Sequence, residues 1–410
     1  MAIEFTTSQF NALGALCSSQ NVFLTGEAGS GKSFLIEHYM KDLNKKTFPI
    51  LASTGAAAVI IGGRTFHSFM GLGIMEGGVD KTVERALKDK RVVNRIRKIK
   101  GFVLDEISMI SEETFRAAEK ICRLARNKDL EPWGGLRVIA VGDFAQLPPV
   151  QKRGLRKWIF QSDVWENSHF RVVQLKQNMR TSNNDFLKVL NSIRVGEVSE
   201  GVKDFLNERC LDPGEDFEGT RLFPRRFQAE KFNQSRLEKI DKKSIYFESS
   251  YTGAKRFVDI LKKVSPLKEQ IEVKEGALVM LKTNDPKQRW VNGSTGIIIG
   301  MSDGDLKVEL LNGRMVNIER VTLSLYSPEG EVVASVTNFP IELAYATTIH
   351  KSQGMTLDTL YVDLSNLWEP GQAYVALSRV IDPDKLFIKS WTPSSIKADE
   401  NVNRWYEDTV

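Results

Sequence analysis

Eight consecutive residues, Gly26-Glu27-Ala28-Gly29-Ser30-Gly31-Lys32-Ser33, fit the pattern of Gly, four residues, then Gly-Lys-Ser. They follow a short apolar run, Asn21–Thr25, and lead into a helical one, Phe34–Leu43. Glycines in such a loop let backbone N–H groups turn toward phosphate oxygens, and the following helix adds the positive end of its dipole. Lys32 is then placed to reach the β- and γ-phosphates of a nucleoside triphosphate, and Ser33 to ligate Mg²⁺. All eight residues form the expected cofactor cradle. A second acidic site should complete it, and Asp105-Glu106 ends the run FVLDEIS. There Asp105 would hold the metal through water, and Glu106 would polarise the attacking water. A carboxylate beside the metal ligand suits hydrolysis, whereas a kinase passes the phosphoryl group to a bound acceptor. No Asn-Lys-x-Asp guanine-reading motif occurs, which favours ATP.

A third block, GDFAQLPPV at 142–150, follows the apolar run Leu136–Val141. It sets Asp143 and Gln146 at the same sheet edge, where open α/β sheets bind ligands. These blocks need a frame. Asn21–Thr25, Phe48–Ala52, Gly101–Leu104 and Leu136–Val141 read as buried strands, with helical patterns such as Phe34–Leu43 and Glu112–Ala125 between them. Strands alternating with helices imply a parallel sheet covered on both faces. Within this half, Lys81–Lys100 carries nine Lys or Arg against two acids, either a solvated helix face or a phosphate-contacting insert.

From about residue 181 the alternation resumes, with helices at Asp185–Arg194 and Gln228–Lys239 and a strand near Arg221–Phe223. Between 273 and 338 the texture changes to short alternating strands. Leu306, Val308 and Leu310 face opposite to Lys307 and Glu309, and Asp303-Gly304 and Asn312-Gly313 stand where two-residue hairpin turns belong. After Pro340 the α/β texture returns, with strands near Ile341–Tyr345, Thr359–Val362 and Lys385–Ile388. The expected fold class is therefore α/β, with two parallel-sheet lobes and a small antiparallel barrel inserted in the second. The expected division is 1–180 for the first lobe, with a basic insert near 70–100; 181–272 with 339–410 for the second; and 273–338 for the barrel.

Composition narrows the function. Lys and Arg total 57 and Asp and Glu 52, a mild positive balance that permits a nucleic-acid partner without requiring one. Three cysteines and four histidines lack zinc-ligand spacing, and a disulfide framework needs more cysteines. No apolar run approaches the roughly 18 residues that span a bilayer. The N-terminus, MAIEFTTSQF, carries no targeting pattern, so an intracellular protein without a membrane partner is expected.

The three blocks also occur in a longer order: GEAGSGKS, STGAAAVIIGGRTFHSF (53–69), VLDEISM, VGDFAQLPPV, LKQNMRTSNNDFLKVLNSIRVG (175–196), AYATTIHKSQGMT (344–356) and YVALSR (374–379). Together they resemble the motif set of superfamily-one DNA helicases of the Pif/RecD branch, and Arg180–Gly196 resembles the signature of Pif-type members. The resemblance runs from Gln9 to about Arg379. It implies two RecA-like lobes with Mg²⁺-ATP between them, single-stranded DNA across their top, 5′ to 3′ translocation, and a Src-homology-like barrel in the second lobe. It further implies action on tailed or forked duplexes, as a monomer on DNA in a bacterial or phage-like cytoplasm. The chain is short for the family, so roles of the terminal regions of larger eukaryotic members are not carried over.

By the same resemblance, Gln9 matches an adenine-reading glutamine, although Thr6-x-x-Gln9 is equally a helix capping box. Gln146 matches a γ-phosphate sensor, and Arg180 and Arg379 match arginines offered across the cleft, where a permanently charged fork suits the γ-phosphate. Gly354 would keep the backbone close to the phosphates. Thr65, His67, Thr348, His350 and Lys351 match positions lining the strand path, contacting phosphates rather than reading bases. Phe66 could stack on a base or belong to the core. Two alternatives stay open: an RNA-translocating relative, and a nucleic-acid clamp that uses ATP only as a switch. Glu106 speaks against the clamp, since a switch does well without a hydrolytic base.

Overall fold

The computed structural model describes residues 5–410 apart from 55–56, 59–63, 74, 76, 150–156, 215–216, 218, 286, 288, 303 and 328–330. The Asp303 turn and much of the 53–69 block therefore lie outside the described residues. Six strands build the first sheet: β1 (Val22–Gly26), β2 (Ile50–Ala52), β3 (Arg64–Thr65), β4 (Gly101–Asp105), β5 (Arg137–Val141) and β6 (Arg171–Leu175). They run parallel in the order β3-β2-β4-β5-β1-β6. All of β1 is buried, which is why its sequence is a continuous run and not an alternation.

Helices α1 (Thr7–Leu16) and α2 (Lys32–Met40) cover one face through Ala12, Leu16, Leu35, Ile36 and Met40. The helix Glu112–Arg126 covers the other with Phe115, Ala118 and Ile121. Its ends are written in the sequence. Ser111 caps the Thr114 N–H, Glu112 and Glu113 occupy the first turn, Arg123 and Arg126 the last, and Asn127 turns left-handed behind it. The strand order is what assembles the site: the carboxyl ends of β4, β5, β1 and β6 are neighbours.

A second parallel sheet has the order Ala346–Thr348, Thr220–Phe223, Leu360–Val362, Leu386–Ile388. Between its first two strands in sequence the chain makes antiparallel structure. Met315–Glu319, Asp305–Leu310, Thr295–Met301, Leu278–Leu281 and Ile341–Leu343 form one sheet, in which Leu306 and Val308 pair with Ile318 and Val316 on the buried side. Asn312-Gly313 lies in a tight hairpin turn as expected, but the loop has three residues and not two: Leu310 opposes Arg314, and Gly313 N–H donates to Leu310 O at 2.8 Å. Antiparallel pairing is wider than the stretch 273–338 marked by alternation. It begins at Ile245–Glu248 and ends with Ile341–Leu343, and the helix Lys255–Val264 interrupts it. That interruption hides the rhythm from sequence.

The stretch 339–410 also divides differently from the expectation. The helix Glu400–Thr409 leaves the second lobe and packs Val402, Trp405 and Tyr406 against the aromatic cluster of Phe23, Phe144 and Trp165 in the first. An amphipathic pattern states that a helix has a buried face, not which lobe receives it. Among the described residues no helix is long and apolar enough to cross a membrane.

Candidate nucleotide and nucleic-acid site

The phosphate loop leaves β1 with Gly29 and Gly31 at φ of 88° and 86°, and Gly31 caps α2. Ser33 is exposed in the first turn. Lys32 Nζ donates to Gly26 O and Glu27 O at 2.7 and 2.9 Å, and burial holds its ammonium below the ordinary range against the pull of Asp143 and Glu106. Burial likewise raises the Glu27 carboxyl, whose oxygens face the Asn191 amide. Ser30 Oγ is buried without a hydrogen-bond partner among the described residues.

The segment after β6 is strapped to this loop. Asn178 Nδ2 donates to Ala28 O and the Met179 N–H to Gly29 O, both at 2.8 Å. A Cβ on Gly29 would fall 2.7 Å from Arg180 Cβ, so only glycine lets the two segments touch. Arg180 is thereby stationed at the loop. Gln9 serves the capping box through Oε1, which accepts from the Thr6 N–H at 3.0 Å, while its Nε2 faces Gly31.

At the end of β4, burial and the adjacent Glu106 push the Asp105 carboxyl up to about 7, although the Glu106 N–H donates to it at 2.9 Å. Two carboxyl groups crowded at a strand end within reach of the Lys32 charge fit a divalent cation, whose charge favours both as anions. Asp143 is fully buried and ion-paired to Arg194 at 2.8 Å. Gln146 is buried next to it, its N–H donating to Asp143 O at 3.1 Å.

The second lobe closes on this edge. Ala28 N–H donates to Tyr374 Oη at 2.9 Å. Arg180 Nη1 donates to Ser378 O at 2.5 Å. Arg379 is 1% exposed and held by Val375 O and Ser378 Oγ, at 2.7 and 2.8 Å. Burial and the neighbouring Arg180 push Arg379 down to about 9, and burial pushes Arg180 to about 10. Two desolvated guanidinium groups that repel each other beside a phosphate loop suit an anion between them. The structure adds Gln353, which no residue pattern singles out: its Nε2 donates to Glu106 Oε2 at 3.0 Å. Its only signal in the sequence is its place in the block IHKSQGMT. Gly354 has a φ of +76°, which glycine suits, and a Cβ there would meet no protein atom within 4 Å.

The strand-path residues divide. Thr65 and Thr348 hydroxyls accept from Ser68 and Lys351 N–H groups, capping short helices. Burial keeps the His67 imidazole below its ordinary value, hence neutral at pH 7. His350 lies 3.7 Å from Glu369. Lys351 is exposed; burial of its ammonium holds it below the ordinary lysine range, with the Glu342 carboxylate partly offsetting this and the cations Lys282, Arg226 and Lys268 adding to it. Phe66 is a correction: it is fully buried against Phe102 and cannot stack on a base. The basic run is partly a correction too. Arg95 is buried and donates to the Phe69 carbonyl, whereas Arg85 and Arg97 donate to Leu72 and Ala125 carbonyls and stay exposed, as do Lys81, Lys90, Lys98 and Lys100. A cavity of about 800 Å³ at the second sheet has no counterpart in the sequence patterns; it is lined by Arg221, Arg236, Tyr361 and Trp368.

Residues 9–204 match the family model described as PIF1-like helicase. Over 405 residues the chain is 53% identical to a Bdellovibrio bacteriovorus protein named ATP-dependent DNA helicase Pif1, covering 99% of this chain and 92% of that one. The chain belongs to the PIF1-like helicase family. Relatives in this family are named ATP-dependent DNA helicases, enzymes that hydrolyse ATP. Eukaryotic relatives it matches are longer, the chain spanning 55% to 64% of three of them. A Bacteroides Pif1 structure in complex with ADP-AlF4 superposes with a TM-score of 0.87 at 27% identity, covering 99% and 98% of the two chains. A Bacteroides Pif1 in complex with ADP-AlF3 and ssDNA gives 0.66 at 28%, covering 99% and 97%. The arrangement of this PIF1-like chain is nearer the former.

Proposed function

We propose that this chain hydrolyses Mg²⁺-ATP in the cleft between its lobes and uses the cycle to move 5′ to 3′ along single-stranded DNA, unwinding tailed or forked duplexes. One observation carries the reading: two RecA-like lobes meet at the phosphate loop, so residues of both can respond to one nucleotide. Lys32 and the loop N–H groups bind the phosphates, Ser33 and Asp105 would hold the metal, and Glu106 takes a proton from the attacking water. Mg²⁺ would neutralise charge on the phosphates. Arg180 and Arg379 would answer the γ-phosphate, and Tyr374 and Gln353 would carry its presence to the second lobe.

DNA then lies over the exposed cations. Lys351 with its basic neighbours, Lys98 and Lys100 would follow phosphates, and Tyr361 and Trp368 offer rings for bases. Such contacts read no sequence. Such a substrate fits work inside the cell, in the cytoplasm of a bacterial or phage-like setting. Strand displacement on duplexes with 5′ or 3′ tails tests the proposal; unwinding restricted to 3′-tailed duplexes contradicts it. ATPase stimulation by RNA homopolymers above DNA would instead favour the RNA-translocating relative.

A further inference from the structure

Glu106 ends β4 in the left-handed region, with φ 52° and ψ 50°. Few non-glycine residues sit there, and those that do are held by their surroundings. The turn sends the Glu106 side chain out of its own lobe toward Gln353 of the other, whose Nε2 donates to Glu106 Oε2 at 3.0 Å. A carboxylate only accepts, so the orientation of this amide is fixed by chemistry. Its other atom, Gln353 Oε1, is buried and has no hydrogen-bond partner among the described residues. An acceptor orphaned beside a carboxylate calls for a small molecule with two donors.

That molecule is water. We infer that Gln353 is a positioning residue for hydrolysis, with two tasks. Its amide N–H holds the Glu106 carboxylate, and its amide oxygen accepts one hydrogen of the attacking water while Glu106 accepts the other. Both hydrogens are then occupied, and a lone pair of the water oxygen is free for the γ-phosphorus. As that oxygen–phosphorus bond forms, the bond from phosphorus to the β–γ bridging oxygen breaks. The bridging oxygen leaves with the electron pair as part of ADP, and the water proton passes to Glu106.

Because the two side chains belong to different lobes, the water would be oriented only while the lobes are together. Hydrolysis is thus tied to closure by a hydrogen bond and not by the phosphate contacts alone. The inference rests on the reading of Glu106 as the base, so the test must separate the two.

Compare Gln353→Ala, the near-isosteric Gln353→Glu, Glu106→Gln and the double variant Glu106→Gln/Gln353→Ala. Measure DNA-saturated ATPase against ATP concentration, fluorescent-ADP and single-stranded DNA affinity by anisotropy, and thermal melting. A misplaced reacting group costs about 10²-fold, so kcat of both Gln353 variants should fall by about that factor. KM and both affinities should stay near those of the parent. The double variant should be no slower than Glu106→Gln, since the two residues act on one water. Gln353→Glu keeps the volume and, where ionised, cannot donate, so assayed well above the carboxylate range it tests the idea even if the alanine variant folds poorly. Near-normal kcat in Gln353→Glu beside an inactive Glu106→Gln overturns the inference, and so do losses that multiply in the double variant or fall on KM and affinity. Near-normal turnover in Glu106→Gln overturns the base assignment itself.

Discussion

Arg194 Nη2 lies 2.8 Å from Asp143 Oδ1, so a helix of the second lobe is ion-paired to the carboxyl end of β5 in the first. Tyr406 Oη donates to the same oxygen at 3.0 Å, and the Arg194 guanidinium lies 4.4 Å from the centre of its ring. Burial alone would raise the Asp143 carboxyl, but Arg194 and the Ala145 N–H more than offset it, leaving it below the ordinary carboxylate range. The folded chain therefore binds this proton less readily than the unfolded one. The stability it confers is complete above that ordinary range and is lost as pH falls through the depressed value. Arg194→Met should leave Asp143 buried and unpaired, at a cost of about 3–5 kcal/mol. Circular dichroism during acid titration should show its unfolding at higher pH than the parent; an unshifted midpoint would contradict the pairing.

Lys32→Ala should abolish ATP hydrolysis and leave single-stranded DNA binding largely intact. Lys32 lies inside the loop, bonded to Gly26 and Glu27 carbonyls, whereas the cations assigned to DNA are on other segments. A malachite-green phosphate assay beside DNA anisotropy decides the matter. Retained hydrolysis would remove the phosphate-loop assignment.

Arg379 should matter to turnover more than to nucleotide affinity. Arginines that act on a γ-phosphate are worth about 10³–10⁵ in rate. Arg379→Lys keeps the charge but loses the fork that now reaches Val375 O and Ser378 Oγ together, so it should rescue poorly. ATPase rate at saturating DNA, beside ADP affinity, should fall by several orders of magnitude while binding is kept. Equal losses in both would mean that Arg379 only holds its lobe together.

How much is legible in the sequence follows from range. The phosphate loop, the Asp105-Glu106 pair and the end caps of Glu112–Arg126 are set by neighbours a few residues apart, and each lies where its pattern puts it. Phe66 is ambiguous in sequence because an aromatic between Thr65 and His67 suits a base or a core equally; only packing against Phe102 decides. Gln353 and Tyr374 carry no local signal because their partners, Glu106 and Ala28, are hundreds of residues away. Arg95 looks like a solvent cation in the sequence but is buried, since charge counts cannot see the Ser68 and Phe69 carbonyls that bind it.

Lys98 and Lys100, by contrast, are exposed. Replacing both by Glu should weaken single-stranded DNA binding and flatten its dependence on salt, by about 0.7 in log–log slope for each phosphate no longer neutralised. Fluorescence titrations across a series of salt concentrations measure it. An unchanged slope returns the helix Lys90–Lys98 to a solvated face.

Because the helix Glu400–Thr409 packs on the first lobe, the polypeptide crosses between the lobes twice, once after β6 and again ahead of Asp399. A body held by a single strap can swivel in any direction. Held by two, it folds like a door about the line joining them. Two such crossings favour rotation of the lobes about the line that joins them during the proposed ATP cycle.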